Sequence, residues 1–195
     1  MPRQARTDAS GALHHIMVRG IERRKIFRDN KDRDNFVERL GNIVQDTSTS
    51  CYAWSLLSNH VHLLLRTGNH PIATLMSRLL TGYAVSFNRR YGRHGQLLQN
   101  RYKSILCQED PYLLELVRYI HLNALRANIV ENYSSLGRYK YCGHAFILWS
   151  KRNDWQDVEY VLRFFNRRRR IAQGQYKQYV SEGIEKWAKR QHHWQ

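Results

Sequence analysis

The stretch Ser58-Asn59-His60-Val61-His62-Leu63-Leu64-Leu65 decides how this chain is read. Side chains of a β-strand alternate between faces, so His60 and His62 point one way and Val61 the other. Leu63, Leu64 and Leu65 continue the strand as an apolar run that anchors it in a core. Two imidazoles on one face of a buried strand can hold a divalent metal at neighbouring positions of its shell. Such a site still needs further ligands and a nucleophile from elsewhere in the chain.

Working outward, Cys51–Leu57 reads as the strand before His60–Arg66, the two forming a hairpin. Upstream, Phe36, Val37, Leu40, Ile43 and Val44 recur at helical spacing within Asn30–Asp46. Ahead of that helix, ALHHIMVR (residues 12–19) alternates as a strand, with Leu13, His15 and Met17 on one face and His14, Ile16 and Val18 on the other. Downstream, Ile72, Leu75, Met76, Leu79, Tyr83 and Phe87 form an apolar helical stripe that ends near Gly92. Residues 95–108 (GQLLQNRYKSILCQ) read as a fourth strand. Asp110-Pro111 then opens a helix, with an N-cap candidate and a proline at the first helical position. The order β-α-β-β-α-β-α predicts an α+β fold, a ferredoxin-like or RRM-like antiparallel sheet with helices on one face. Residues 1–135 form the expected core domain, and 136–195 a basic helical C-terminal extension with helices near Trp155–Phe165 and Gln175–Gln191.

Charge selects the partner. Lys and Arg number 32 against 16 Asp and Glu, a net charge of +16. Such a surplus favours a polyanion, because neutralising phosphates releases counterions. A membrane partner is disfavoured, since no long apolar span is present. Residues 1–6 lack the apolar core of a signal peptide, and the three cysteines are scattered, so a reducing compartment is expected and the cysteines read as buried small hydrophobes. Candidate phosphate contacts are Arg19, Arg23, Arg24, Arg89, Arg90, Arg101, Lys103, Arg126, Arg168 and Arg169.

The helix DPYLLELVRYIHLNALRA (residues 110–127) carries the remaining chemistry. Leu113, Leu116, Val117, Ile120 and Ala124 line the side that packs on the sheet, while Tyr112, Glu115, Tyr119, Asn123 and Arg126 share another stripe. Tyr119 and Asn123 stand one turn apart. A phenolic nucleophile and a carboxamide ligand at that spacing can both reach a metal held by His60 and His62. Tyr112, two turns earlier, is a competing nucleophile. Lys103, Arg101 and Arg118 are candidates to help the phenol lose its proton.

NHVHLLL resembles the HUH motif, histidine-hydrophobic-histidine, and LVRYIHLNALRA resembles the tyrosine helix of single-tyrosine HUH transposases, the IS200-like group. With HHIMVRG and GYAVSFNRRYGRHGQLLQNRYKS the likeness covers most of residues 10–130 and is closest to REP-associated tyrosine transposases. The resemblance implies His60, His62 and Asn123 as ligands of Mg²⁺ or Mn²⁺ and Tyr119 as nucleophile. It implies cleavage and transfer of single-stranded DNA at hairpin-bearing repeats through a 5′-phosphotyrosine, in the bacterial cytoplasm near the nucleoid. Two departures stand out: Asn-Ala-Leu replaces the usual Asn-Pro-aliphatic, and asparagine stands where some relatives carry glutamine. The alternative is a hairpin-DNA-binding regulator of the same fold without strand transfer. Monomer and homodimer both stay open.

Overall fold

The structure, a computed structural model, describes residues 10–107, 109–149 and 153–191, with the backbone only for 109–111 and 185–191. Strands β1 (Leu13–Arg19), β2 (Ser50–Leu56), β3 (His60–Arg66) and β4 (Lys103–Cys107) form one antiparallel sheet in the order β2-β3-β1-β4. Helices α1 (Asn30–Asp46) and α2 (Ile72–Tyr91) cross between strands, which completes the ferredoxin-like order. Asp29 caps α1 by accepting from the Asp32 N–H, and Gly92, in left-handed conformation at φ 58°, ends α2.

Both faces of the sheet are covered. Ile16, Val18, Val61, Leu63 and Leu65 bury against Phe36, Leu40 and Val44 of α1 and Leu75, Met76, Leu79 and Tyr83 of α2. Helices on one face therefore describes α1 and α2. Helix α3 (Glu109–Arg126) covers the opposite face, with Leu113, Val117, Ile120 and Ala124 packed on Leu13, Tyr52, Ala53 and Leu64. The physical reason is that β1 and β3 carry apolar residues on both sides, so each side requires a cover. A β-bulge between Cys51 and Ala53 puts Tyr52 and Ala53 on the α3 side together.

The tail contributes α4 (Tyr133–Leu136), α5 (Gly143–Leu148), α6 (Val158–Arg163) and α7 (Arg169–Gln191). It is woven into the core domain. Leu136, Ile147, Val161, Leu162, Ala172, Tyr176 and Val180 share one buried cluster with α3. Tail backbone also closes the outer edge of β2: Leu56 N–H donates to the Tyr141 carbonyl at 2.9 Å and Asp157 N–H to the Cys51 carbonyl at 2.8 Å. An open edge invites pairing with other chains, and this one is occupied. The expected boundary at residue 135 falls inside α4.

Several element bounds differ from expectation, most clearly at β4, α3 and α7. The fourth strand is confined to Lys103–Cys107, because Gly95 (φ 89°) and Asn100 (φ 53°) break the extended path. The preceding loop instead runs beside the end of β1, where Gln99 N–H donates to the Arg19 carbonyl at 2.8 Å. Helix α3 begins at Glu109, and the expected capping by Asp110 lies outside the described side chains. Helix α7 begins six residues before Gln175, with Ala172, Tyr176 and Val180 giving it a buried stripe one turn apart. Residues 1–9 lie outside the described residues.

Candidate functional site

Register brings the histidines together. In the β1–β3 pair Arg19 stands opposite His60, Met17 opposite His62 and His15 opposite Leu64. His15 and His62 are therefore diagonal neighbours on the α3 face. Their rings stack with centroids 5.3 Å apart, and His15 Nε2 lies 3.1 Å from His62 Nδ1. The His60 and His62 rings meet edge-on at 5.1 Å. Helix α3 lays Tyr119 across this group, its ring 5.8 Å from that of His62 and 5.9 Å from that of His15, both edge-on. Tyr119 is 41% exposed, so a substrate can reach its hydroxyl. Tyr112 is also exposed, but its ring makes no aromatic contact with these histidines among the described residues.

Burial sets the charge of the imidazoles. It pushes His62 down to about 3, with His15, His60 and Arg19 adding to the effect. It pushes His15 down to about 4, helped by Lys103. His60 is lowered by burial and then by Arg19. Near neutral pH all three rings are uncharged and keep a lone pair for a cation or a proton.

Around them stands positive charge. Arg19 ends β1 and is exposed beside His60. Lys103 opens β4 and is exposed. The Arg126 guanidinium lies 5.2 Å from the centre of the Tyr119 ring. Arg23 and Arg24 project from the turn that follows β1, Arg24 paired with Glu22 at 2.7 Å. Gly20 makes that turn possible, since a Cβ there would come within 2.1 Å of the Arg24 carbonyl oxygen. Arg89 and Arg101 are exposed at the end of α2 and just before β4. Arg168 is exposed at the start of α7.

Other expected cations are committed elsewhere. Arg90, an expected phosphate contact, clamps Asp29 and Asp32, with Nη1 2.7 Å from Asp29 Oδ1 and 2.6 Å from Asp32 Oδ1. The hydrogen bond from Arg90 holds the Asp29 carboxyl down at about 2. Arg169 pairs with Glu159. Arg118, expected to assist the phenol, is buried away from it, bound to Glu115 at 2.6 Å and stacked 4.3 Å from the Tyr179 ring centre. Arg126 occupies the place beside Tyr119 instead.

Two neighbours of the site were not singled out from the sequence. His15 was placed on the correct face, but register alone joins it to His62. Asn59 sits just before β3; its Oδ1 lies 2.7 Å from His60 Nδ1, and its Nδ2 donates to the Arg23 carbonyl at 3.1 Å. A polar residue adjoining a histidine was the available signal.

The chain itself shows whether a divalent ion suits this place. Among the described residues no group of three or more His, Cys, Asp and Glu side chains is arranged to hold a metal. An ion here would take two imidazoles and complete its shell with amide, solvent or phosphate oxygens, as hard cations do when they act on phosphates. Asn123 lies one turn beyond Tyr119, 8% exposed, with its Nδ2 lacking a hydrogen-bond partner. Amide oxygen and nitrogen are exchangeable assignments, so this orphaned buried end can equally present an oxygen to a cation. The donor set fits such an ion.

Comparison with known proteins follows the same lines. The family model for the IS200-like transposase matches residues 9–123, more than half of the chain. A solved structure of a REP-associated tyrosine transposase bound to a REP hairpin is similar with a TM-score of 0.61 at 14% identity, covering 81% of this chain and 90% of that one. A candidate transposase from Deinococcus radiodurans is 19% identical over 66% of this chain and 92% of its own, with a TM-score of 0.42. No curated protein matches the chain in sequence. No helix among the described residues is long and apolar enough to cross a membrane. With its βαββαβ sheet, its histidine pair facing a tyrosine helix, and a family match running from before β1 into α3, this chain belongs to the IS200-like transposase family.

Proposed function

We propose that this protein cleaves and rejoins single-stranded DNA beside a hairpin, with Tyr119 as the nucleophile. The observation that carries the reading is the half-exposed Tyr119 phenol standing edge-on to His62 and His15, with Arg126 on its ring and Arg19 and Lys103 nearby. Tyr119 Oη attacks phosphorus and the P–O3′ bond breaks. The phenolic proton passes to solvent, and the departing 3′ oxygen takes one up to become a 3′-OH. The product is a 5′-phosphotyrosine, and attack by a 3′-OH reverses it without an external energy source. Arg19, Lys103 and Arg126 orient the phosphodiester and offset the charge on the phenolate as it forms.

His60, His62 and Asn123 would hold a divalent ion, Mg²⁺ or Mn²⁺. When bound, it polarises the phosphodiester and stabilises charge on the departing oxygen. Mixed nitrogen and oxygen donors suit Mn²⁺ somewhat better. Hairpin DNA as partner accords with the similar transposase solved on a REP hairpin and with the net charge of +16. The test is incubation with a hairpin oligonucleotide bearing a single-stranded flank, with Mn²⁺ or Mg²⁺, followed by a denaturing gel. A covalent protein–DNA band that EDTA abolishes is expected. Hairpin binding without any cleavage under either metal would instead favour a regulator of the same fold.

A further inference from the structure

His60 and His62 each engage Nδ1 within the protein, which leaves Nε2 as the atom each can offer outward. The partners fix where the protons sit. Asn59 donates through Nδ2 to the Arg23 carbonyl, so its Oδ1 is the end that meets His60. An amide oxygen only accepts. His60 must therefore carry its proton on Nδ1 and its lone pair on Nε2.

The Arg23 carbonyl is held in place for this. Glu22 and Arg23 both take left-handed backbone conformations, φ 51° and 59°, which non-glycine residues rarely adopt. The turn is tied by Gly20 N–H donating to the Asn59 carbonyl at 2.8 Å. A strained turn that persists beside a site is retained by what it positions.

At His62 the partner is another imidazole, and two proton arrangements satisfy the 3.1 Å contact. Only one leaves a lone pair on His62 Nε2: His62 Nδ1–H donates to His15 Nε2, and His15 carries its own proton on Nδ1. Imidazole side chains in water favour the opposite, Nε2–H form. Both histidines of the pair would thus be held in the less common tautomer by a neighbour.

We propose that His15 and Asn59 are positioning residues, which fix His62 and His60 as Nδ1–H tautomers so that both turn an Nε2 lone pair to one divalent cation. The cation is taken from the proposed function; the hydrogen-bond roles stand on geometry alone. Carboxylates often fill this supporting place around metal-binding histidines. Here both acceptors are neutral. A carboxylate so close would repel the phosphodiester and neutralise Arg19 or Lys103, whereas an imidazole and an amide orient the ligands without adding negative charge. His15 also meets the Tyr119 ring, so the same side chain helps set the phenol against the histidines.

The experiment is a long-range ¹H–¹⁵N correlation spectrum of full-length, metal-free protein with ¹⁵N-labelled histidine at pH 7.5, paired with a Mn²⁺ titration without DNA. In the wild type His60 and His62 both show the Nδ1–H pattern. His15→Leu moves His62 to the Nε2–H form and leaves His60 unchanged; Asn59→Ala does the reverse. His15→Gln, whose amide oxygen accepts, keeps His62 as Nδ1–H. Mn²⁺ affinity falls about 10- to 100-fold in His15→Leu and Asn59→Ala and largely recovers in His15→Gln. Melting curves confirm that each variant is folded. An Nε2–H pattern at either ligand in the wild type, or a His62 indifferent to His15→Leu, overturns the proposal. Correct tautomers in a wild type that binds no Mn²⁺ uphold the hydrogen-bond roles and refute the metal reading instead.

Discussion

On the face covered by α1 and α2, strands β1 and β3 present Ile16, Val18, Val61, Leu63 and Leu65 to an aliphatic and aromatic core. On the face covered by α3 the same strands present His15, His60 and His62 beside Leu13 and Leu64. Only the strand's alternation separates the two sets. The first face is closed by packing alone. The second is closed by packing toward the β2 side and left half-open where Tyr119 crosses the histidines. The contrast teaches how a site can be buried enough to keep imidazoles neutral while staying reachable. Apolar packing on the first face and on the β2 side of the second frees the remaining part of the α3 face to carry polar groups.

Two substitutions in β3, one on each face, separate these contributions with the largest expected effects. Leu63→Ala empties a fully buried position under α1 and α2 and should cost about 2–5 kcal/mol of stability, read by denaturant unfolding. Whatever remains folded should still form the covalent adduct. His60→Ala, three residues away and only half-buried, should leave the melting temperature nearly unchanged and lower metal-dependent cleavage about 100-fold or more. If the two variants lose stability and cleavage in the same proportion, the division between faces is wrong.

The α3 side also has a part remote from the site that is polar and closed. The Tyr176 hydroxyl lies 2.7 Å from His121 Nδ1 and 2.7 Å from His144 Nδ1, joining α3, α5 and α7. Burial lowers His144 to about 3, with Lys177 adding to it, and lowers His121 as well, with His144 adding. Because these folded-state values lie below the unfolded value near 6.5, the unfolded chain binds protons first as pH falls. Stability is therefore complete above about pH 6.5 and is lost as pH drops toward about 3. Melting temperatures should be flat from pH 8 to 7 and lower by several degrees at pH 5. A flat profile down to pH 5 would remove the buried neutral histidines from the account.

The smallest expected effect sharpens the outer boundary of the DNA surface. Arg168 is exposed while Arg169 pairs with Glu159, so Arg168→Gln should reduce the salt dependence of DNA binding by about one phosphate, and Arg169→Gln by less. Equal slopes for the two would show that the Glu159 pairing does not withdraw Arg169.

Much of this was legible in the residues. Alternation in HHIMVR and HVHLLL gave both faces of the sheet, and helical spacing gave α1 over Asn30–Asp46 without error. Tyr119 and its helix stripe followed from the spacing of four to Asn123. What escaped is what depends on register or on distant partners. His15 meets His62 only because β1 pairs antiparallel with β3 at one particular offset. Arg90 read as a candidate phosphate contact and Arg118 as a helper of the phenol, and only the fold shows Asp29, Asp32 and Glu115 pairing with them. The tail read as an appendage because its apolar residues are short runs without strong period; α3 and the edge of β2 supply the surfaces they fill.

The proposed reaction requires that the phenol facing the histidine pair be the group that joins DNA. Its most direct measurement is peptide mapping by mass spectrometry of the covalent adduct formed on a hairpin oligonucleotide, with Tyr119→Phe as control. The adduct should sit on the peptide containing Tyr119 and vanish in Tyr119→Phe, while hairpin affinity stays unchanged. An adduct on Tyr112, or one of undiminished yield in Tyr119→Phe, would contradict it.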